Sequence, residues 1–208
     1  MPGTVVSDVI FDLGGVLIDW DPRYLLRDHL AGDPGEVDAF LRDVCPPEWH
    51  ARLDGGASFA AETRALAERF PQHASWITSY AADWERMFAG ALPGTVECLE
   101  TLARRGYRLH ALSNYPAEHI RFLYRRFPFM QHFETVVLSG LVGTTKPDEA
   151  LYRYVLERID GRAAVFVDDR PENVAAAIRV GIRAMEFDRR EGPARLLALL
   201  GESCDAVR

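Results

Sequence analysis

The sequence predicts an α/β fold in which a doubly wound parallel sheet forms the core and an all-helical cap is inserted into it. Short β-branched apolar stretches alternate with amphipathic helical patterns over most of the 208 residues. This alternation is interrupted once, between residues 18 and 91, by helical patterns without a convincing strand. We therefore expect a core of residues 1–17 and 92–208 and a helical cap of residues 18–91.

Five strands are predicted for the core. The first is the nearly continuous apolar stretch Val5–Leu13, which is typical of a strand buried on both faces. The other four are predicted at Tyr107–Leu112, Glu134–Leu138, Ala163–Val167 and Arg183–Phe187. Because helical patterns separate them, we expect parallel strands joined by right-handed crossovers.

Apolar residues at helical spacing predict four core helices, at Thr95–Arg105, Pro116–Arg126, Asp148–Arg158 and Pro171–Val180. The last of these begins with a proline at its first position and ends before a glycine. Four further helices are predicted in the cap, at Pro22–Leu30, Glu36–Val44, Phe59–Arg69 and His73–Phe88. The loops between them include Pro46-Pro47 and Asp54-Gly55-Gly56.

Composition excludes several classes of protein. A net charge of −7 argues against a nucleic-acid partner, because binding to phosphates depends on excess positive charge. No apolar stretch approaches the ~20 residues of a membrane helix, and no signal peptide is evident, so we expect a cytoplasmic protein without a membrane partner. Cys45, Cys98 and Cys204 lack the spacing of a zinc site and are expected to be reduced thiols. No feature predicts the oligomeric state.

Polar side chains stand where four predicted strands end or in the loop that follows. They are Asp12, Ser113, Asn114, Lys146, Asp168 and Asp169. Ligands of open parallel sheets bind at the carboxyl ends of the strands, so we expect these groups to converge at one edge. Each has an ordinary alternative role, in a turn or at the start of a helix. Lys146 is the only lysine in the sequence, which either reflects codon bias or indicates a role that arginine cannot fill.

Adjacent acids at the end of an apolar strand are the strongest chemical signal. Asp168 and Asp169 follow Val165-Phe166-Val167, where two like charges are unfavourable unless a cation neutralises them. Together with Asp12 they form a set of oxygen ligands without histidine or cysteine. Such a set favours a hard cation, and Mg²⁺ fits best because it binds one or two carboxylates and a substrate phosphate.

The order of these motifs resembles the haloacid dehalogenase (HAD) superfamily of hydrolases. The motifs are Phe11–Leu17, Leu112–Asn114, Lys146-Pro147 and Phe166–Asp169, with the helical insertion after the first. The resemblance implies a Rossmann-like core and makes Asp12 the nucleophile that forms an aspartyl-phosphate. It implies that Ser113, Asn114 and Lys146 bind the phosphate and that Lys146 also stabilises charge in catalysis. The implied Mg²⁺ ligands are Asp12, Asp168, Asp169 and the backbone carbonyl of Gly14.

Gly14 departs from the pattern of phosphatases in this superfamily, which usually have a second aspartate at this position as general acid and base. The sequence looks like the α-D-glucose-1-phosphate phosphatase branch, where a glycine also occupies it. Without this acid, substrates with acidic leaving groups react best. Sugar 1-phosphates are therefore expected to be hydrolysed with a higher kcat/KM than 6-phosphates of the same sugar. Alternatively, His50 or Asp21 from the cap supplies the proton.

A possible substrate pocket is indicated by aromatic and polar residues of the cap. Trp20, Asp21, Arg23, Trp49 and His50 have the chemistry of a sugar-binding site. An alternative remains open, in which the two tryptophans pack the cap and His50 is solvated.

The function predicted from these features is Mg²⁺-dependent hydrolysis of a small phosphorylated metabolite, with sugar phosphates as the expected substrates. One alternative is a non-catalytic or regulatory binding protein with this fold, which the glycine at position 14 favours. Another is a metal-free 2-haloacid dehalogenase, against which the adjacent acids 168 and 169 argue. A response regulator is excluded, because its acid pair follows the first strand.

Overall fold

The computed structural model describes residues 6–29, 34–159 and 163–202. A five-stranded sheet lies at its centre, and all neighbouring strands of this sheet are parallel. In spatial order the strands are β5 (Phe133–Leu138), β4 (Arg108–Ser113), β1 (Asp8–Phe11), β6 (Ala164–Asp168) and β7 (Arg183–Glu186). The predicted Rossmann-like α/β fold is thereby confirmed.

The core helices pack on both faces of this sheet. They are α6 (Pro93–Arg104), α7 (Ile120–Arg126), α8 (Ser139–Val142), α9 (Glu149–Arg158), α10 (Pro171–Arg179) and α11 (Gly192–Leu199). Alternate residues of β1 face opposite layers: Val9 packs with the layer that includes α6 and α11, and Ile10 with the layer that includes α9 and α10. This alternation is the two-residue period of a strand that is buried on both faces.

The cap is helical, with α1 (Arg23–His29), α2 (Pro34–Asp43), α3 (Pro47–Asp54), α4 (Phe59–Arg69) and α5 (Ala74–Ala82). Its apolar interior is continuous with the α6 layer of the core, since Leu25, Trp49 and Ile77 belong to the same buried cluster as Val9 and Leu99.

The prediction that residues 18–91 contain no strand is wrong. β2 (Ile18–Trp20) and β3 (Phe88–Ala91) pair antiparallel where the chain leaves and re-enters the core. These strands are short, and each is stabilised by a partner about seventy residues away, so no local pattern indicated them. The predicted helix His73–Phe88 was also too long, because it ends at Ala82 and a 3₁₀ turn follows at Trp84–Met87.

Three helices were not predicted: α3, α8 and α11. The segment taken for a loop at Pro46-Pro47 is the start of α3, with Pro47 in its first turn, where a missing N–H is tolerated. Three residues named in the predictions, Val5, Leu30 and Cys204, lie outside the described residues. Cys45 and Cys98 are both buried, and no disulfide joins them.

A short segment after α3 attaches the cap to the core beside the carboxyl ends of the strands. The hydroxyl of Ser139 donates to the backbone carbonyl of Asp54 (2.6 Å) and accepts from the amide of Tyr115 (2.9 Å). A Cβ atom at Gly56 would lie 2.9 Å from the carbonyl oxygen of Gly140, so the two backbones are in close contact. These contacts fix the end of α3 over the strand edge.

None of the helices described here is long and apolar enough to cross a membrane.

Candidate active site

Four of the predicted residues lie together at the carboxyl edge of the sheet. Asp12 follows β1, where its amide donates to the carbonyl of Val167 (2.9 Å). Ser113 and Asp168 are the last residues of β4 and β6, the two neighbours of β1. Lys146 reaches the same edge from the loop between α8 and α9. The convergence expected from the sequence is therefore present.

The ammonium group of Lys146 joins two of the carboxylates. Its Nζ lies 2.9 Å from Asp12 Oδ1 and 2.6 Å from Asp168 Oδ2, and the residue is only 4% exposed. The ammonium also lies 5.5 Å from the centre of the Phe166 ring. Burial disfavours the charge, but the two carboxylates outweigh it and raise the pKa of Lys146. The lysine is therefore held in its charged form between the two acids.

Asn114 holds the Lys146 loop. Its Oδ1 accepts from the backbone amide of Lys146 (2.8 Å), and its Nδ2 donates to the carbonyl of the same residue (3.0 Å). Both ends of the amide group are thus used by one backbone segment, which includes a cis peptide bond between Lys146 and Pro147. The Asn114 side chain positions the lysine, whereas the hydroxyl of Ser113 makes no hydrogen bond to the described part of the chain.

Asp168 is saturated by protein donors. Besides Lys146, its carboxylate accepts hydrogen bonds from the backbone amide of Arg170 (2.9 Å) and from Asn173 Nδ2 (2.9 and 3.1 Å). Asn173 was missed by the sequence analysis. Its signal is a polar residue on the buried face of α10, which otherwise consists of Ala176 and Ala177.

Three carboxylates form a group that could hold a metal ion. One oxygen each of Asp12, Asp168 and Asp169 lies within 4.8 Å of the others. Burial and the charges of Asp168 and Asp169 raise the pKa of Asp12 to about 7, although Lys146 acts in the opposite direction. Burial and the neighbouring Asp168 likewise raise the pKa of Asp169. One ammonium does not balance three carboxylates, so the donor set and its excess negative charge fit a hard divalent cation.

The two glycines that follow Asp12 in the same loop, Gly14 and Gly15, differ in what they allow. Gly15 has φ +76°, and a Cβ atom there would lie 2.1 Å from Asp169 Oδ2, so only glycine leaves room for this carboxylate. Gly14 has no atom within 4 Å of a Cβ built at its position, and its φ lies outside the left-handed region. The acid that the superfamily pattern places at position 14 is absent for a reason other than lack of space.

A cavity of about 100 Å³ lies between this edge and the cap. Most of its lining is apolar or aromatic, and its polar contributors include His50, Asp54, Ser113 and Asn114. A more open cleft of about 510 Å³ lies beside it, lined in part by Lys146, Glu48 and Arg170. Four residues line both spaces: Trp20, His50, Asp54 and Asn114.

The five cap residues predicted for a pocket have different positions. Trp20 and His50 line the cavity, and burial lowers the pKa of His50 to about 4. Trp49 is 1% exposed and packs inside the cap against Tyr80 with ring centres 5.3 Å apart. Asp21 and Arg23 line neither space: Asp21 accepts from the Arg23 amide (2.8 Å), and Arg23 pairs with Asp38 (2.9 Å).

A Rossmann-like core, an inserted cap and a lysine that joins aspartates at the strand edge define a class of capped hydrolases. The chain belongs to the haloacid dehalogenase-like hydrolase family, whose model matches residues 9–181. The resemblance seen in the sequence is thereby confirmed at the level of the superfamily. The glucose-1-phosphate phosphatase branch stays a prediction.

Several known proteins are similar to this chain. The sesquiterpene phosphatase astK of Aspergillus oryzae is 30% identical over 188 residues, which are 86% of this chain and 88% of that protein. A phosphorylated carbohydrates phosphatase of Thermotoga maritima is 26% identical, over 84% of this chain and 81% of that protein. The structure of a HAD family enzyme from Bacteroides thetaiotaomicron, in complex with magnesium and inorganic phosphate, superposes with a TM-score of 0.68 at 21% identity and covers 92% of this chain and 98% of that one.

Proposed function

We propose that this hydrolase is an Mg²⁺-dependent phosphatase of small phosphomonoesters and that Asp12 is its nucleophile. The observation that carries the proposal is the buried ammonium of Lys146, which touches both Asp12 and Asp168 beside a third carboxylate. A carboxylate and a phosphate dianion repel each other, so such an attack requires fixed positive charge at the reacting atoms. The phosphatases among the relatives support the same assignment.

In this proposal each residue has a distinct task. Asp12 attacks the phosphorus atom, and Lys146 neutralises charge on the nucleophile and the phosphoryl oxygens. The hydroxyl of Ser113 donates to a phosphoryl oxygen. Asn114 keeps the lysine in place through its two hydrogen bonds to the Lys146 backbone.

The Mg²⁺ ion would be held by Asp12, Asp169 and the backbone carbonyl of Gly14. Asp169 is the better direct ligand of the two adjacent acids, because four hydrogen bonds already occupy the oxygens of Asp168. When bound, the ion supplies charge neutralisation between nucleophile and phosphate.

The cavity supports a compact and largely apolar leaving group. Its lining is mainly apolar, and its volume of about 100 Å³ is smaller than the ~150 Å³ apolar cavity that accommodates benzene. Sugar phosphates are a second candidate, favoured by the polar groups of His50 and Asp54 and by the carbohydrate phosphatase among the relatives. The preference for sugar 1-phosphates over 6-phosphates and the cytoplasmic location stay predictions.

Phosphate release from a substrate panel tests the proposal. The panel contains p-nitrophenyl phosphate, a short prenyl phosphate, glucose 1-phosphate and glucose 6-phosphate, each with Mg²⁺ and after exhaustive chelation. We expect Mg²⁺-dependent turnover that Asp12→Asn abolishes without changing the melting temperature, because the amide is nearly isosteric but cannot form an acyl-phosphate. One tenth of wild-type activity in Asp12→Asn would contradict the covalent mechanism, and full activity after chelation would contradict the metal. Halide release from a 2-haloacid in chelator would favour the dehalogenase instead.

A further inference from the structure

Position 14, two residues after the proposed nucleophile Asp12, carries no acid in this chain. Gly14 faces the cavity, and nothing lies within 4 Å of the point where its side chain would begin. The leaving oxygen of a phosphomonoester develops negative charge as its bond to phosphorus breaks, and a positioned acid typically accelerates this step ~10²–10⁴-fold. If the protein is a phosphatase, either its substrates have acidic leaving groups or a group from outside this loop supplies that proton.

Asp54 is placed to supply this proton from the cap. It is the last residue of α3 and lines the cavity together with Gly14 and Ser113. It also lines the adjoining cleft together with Lys146 and Arg170. Asp54 thus borders both the cavity and the cleft, and it shares the cavity with Gly14 of the nucleophile loop.

The backbone of Asp54 is held by hydrogen bonds, whereas its carboxyl group has no hydrogen-bond partner among the described residues. Its carbonyl accepts from Ser139, which in turn is held by the amide of Tyr115, two residues after Ser113. The carboxyl group makes no hydrogen bond or ion pair to any residue of the described ranges. A carboxyl group held over a cavity without a protein partner is available for a ligand.

The surroundings of Asp54 keep a proton on it near neutral pH. Burial raises the pKa of Asp54 to about 7, while the positive charges of Lys146 and Arg170 act in the opposite direction. Its place at the carboxyl end of a helix also disfavours the anion, because the helix dipole is negative there. His50, Tyr80 and Tyr115 are the other titratable groups that line the cavity, apart from Asp54 itself.

The other candidate acids are poorly suited. The lowered pKa of His50, about 4, leaves its ring without the second proton at pH 7. Burial raises the pKa of Tyr80 and that of Tyr115 well above the ordinary value of a tyrosine, so both are weak acids. Asp21 lines neither the cavity nor the cleft. Neither residue named as a proton source in the sequence analysis is therefore the best placed.

We propose that Asp54 is the catalytic acid and base of the reaction on Asp12, an inference that rests on the proposed phosphatase function. As Asp12 attacks phosphorus, the bond to the leaving oxygen breaks, and that oxygen keeps the electron pair and takes the proton of Asp54. The Asp54 carboxylate then removes a proton from the water whose oxygen attacks the aspartyl-phosphate. The bond between phosphorus and Asp12 breaks, which restores the Asp12 carboxylate and releases phosphate.

A comparison of two leaving groups tests this role. Butyl phosphate releases an alkoxide that requires protonation, whereas p-nitrophenyl phosphate releases a stable phenolate. We expect Asp54→Asn to lower kcat/KM for butyl phosphate ~10²–10⁴-fold and for p-nitrophenyl phosphate less than about tenfold. Asp43→Asn is the matched control, because Asp43 is an exposed cap acid paired with Arg42. It is expected to stay within about twofold of wild type on both substrates.

Two further measurements separate catalysis from structure. Wild-type kcat/KM for butyl phosphate is expected to fall as pH rises above about 7, the pKa of Asp54, because the acid loses its proton, and this decline is expected to vanish in Asp54→Asn. With p-nitrophenyl phosphate, Asp54→Asn is expected to release one p-nitrophenol per enzyme in a burst before slow turnover, since the base for the second step is missing.

The outcomes distinguish this inference from the function on which it rests. If wild type hydrolyses neither ester, or if Asp12→Asn stays active, the proposed function fails and the role of Asp54 fails with it. If hydrolysis depends on Asp12 but Asp54→Asn lowers kcat/KM equally for both substrates, or for neither of them, only the role of Asp54 is overturned. Recovery of butyl phosphate hydrolysis on adding Gly14→Asp to Asp54→Asn would support it, since the space at position 14 is open.

Discussion

Gly15→Ala is expected to damage the proposed Mg²⁺ site through a single methyl group. The new Cβ atom would lie 2.1 Å from Asp169 Oδ2 and 2.5 Å from its Cγ, whereas ordinary contacts begin near 3.4 Å. The Asp169 carboxylate therefore has to move by more than 1 Å, and residue 15 has to keep φ +76° with a side chain. The left-handed conformation costs alanine about 1–2 kcal/mol of folding free energy. Displacement of a group that orients or ligates a metal typically weakens binding about 10–100-fold.

Gly14→Ala is the matched comparison, because it adds the same methyl group one residue earlier. No atom lies within 4 Å of its Cβ position, and its backbone needs no left-handed conformation. We expect its free energy of unfolding to equal that of wild type or to rise by about 0.4–1 kcal/mol, since alanine restricts the unfolded chain. Both variants retain every charged side chain, so a difference between them reflects the position of the carboxylate.

Isothermal titration with Mg²⁺ and urea unfolding in chelator would measure the two effects separately. The expected result is weaker Mg²⁺ binding and lower stability in Gly15→Ala, with Mg²⁺ affinity preserved in Gly14→Ala. Equal Mg²⁺ affinity in wild type and Gly15→Ala would refute the assignment of Asp169 as a direct ligand. Equal stability of the two variants would refute the steric argument itself.

Two further predictions concern the buried charges. Lys146→Arg should lower kcat/KM nearly as much as Lys146→Ala, by about 10²–10³-fold. The reason is that a guanidinium group cannot occupy the space of one ammonium group between Asp12 and Asp168. If phosphate-release assays show comparable activity for wild type and the arginine variant, codon bias becomes the better explanation of this lysine. Asp8→Asn should lower the free energy of unfolding by about 3 kcal/mol at pH 7, because Asp8 is fully buried and paired with Arg108. Burial by itself would raise the pKa of Asp8, but its hydrogen bonds outweigh burial and lower it. The stabilisation is therefore complete above about pH 4 and is lost as pH falls through the lowered pKa, so urea unfolding at pH 7 and pH 3 should show a smaller difference between wild type and variant at pH 3.

The cap shows where local patterns are sufficient and where they are not. The helix Phe59–Arg69 was predicted with the bounds that the structure has, because apolar residues at helical spacing are a local signal. The strands Ile18–Trp20 and Phe88–Ala91 were missed, because each is stabilised by pairing with the other. Strand pairing between distant segments leaves little trace in either segment alone.

The candidate site divides in the same way. The convergence of Asp12, Ser113, Lys146 and Asp168 followed from the sequence, because the carboxyl ends of neighbouring parallel strands meet at one edge whatever their side chains are. The task of Asn114 did not follow. The sequence shows that an amide lies near the end of a strand, but only the structure shows that both ends of this amide are used by the Lys146 backbone.

The sequence by itself determined the fold class, the order of the strand-end motifs and the charge imbalance of three acids against one lysine, because these depend on residue type and on spacing along the chain. Only the tertiary structure decided which acid is saturated by donors, which cap residues reach the cavity and where Asp54 stands. Asp54 and Gly14 are forty residues apart in sequence and line the same cavity. Their proximity results from the contact of α3 with Ser139, a packing arrangement between distant segments that no local pattern encodes.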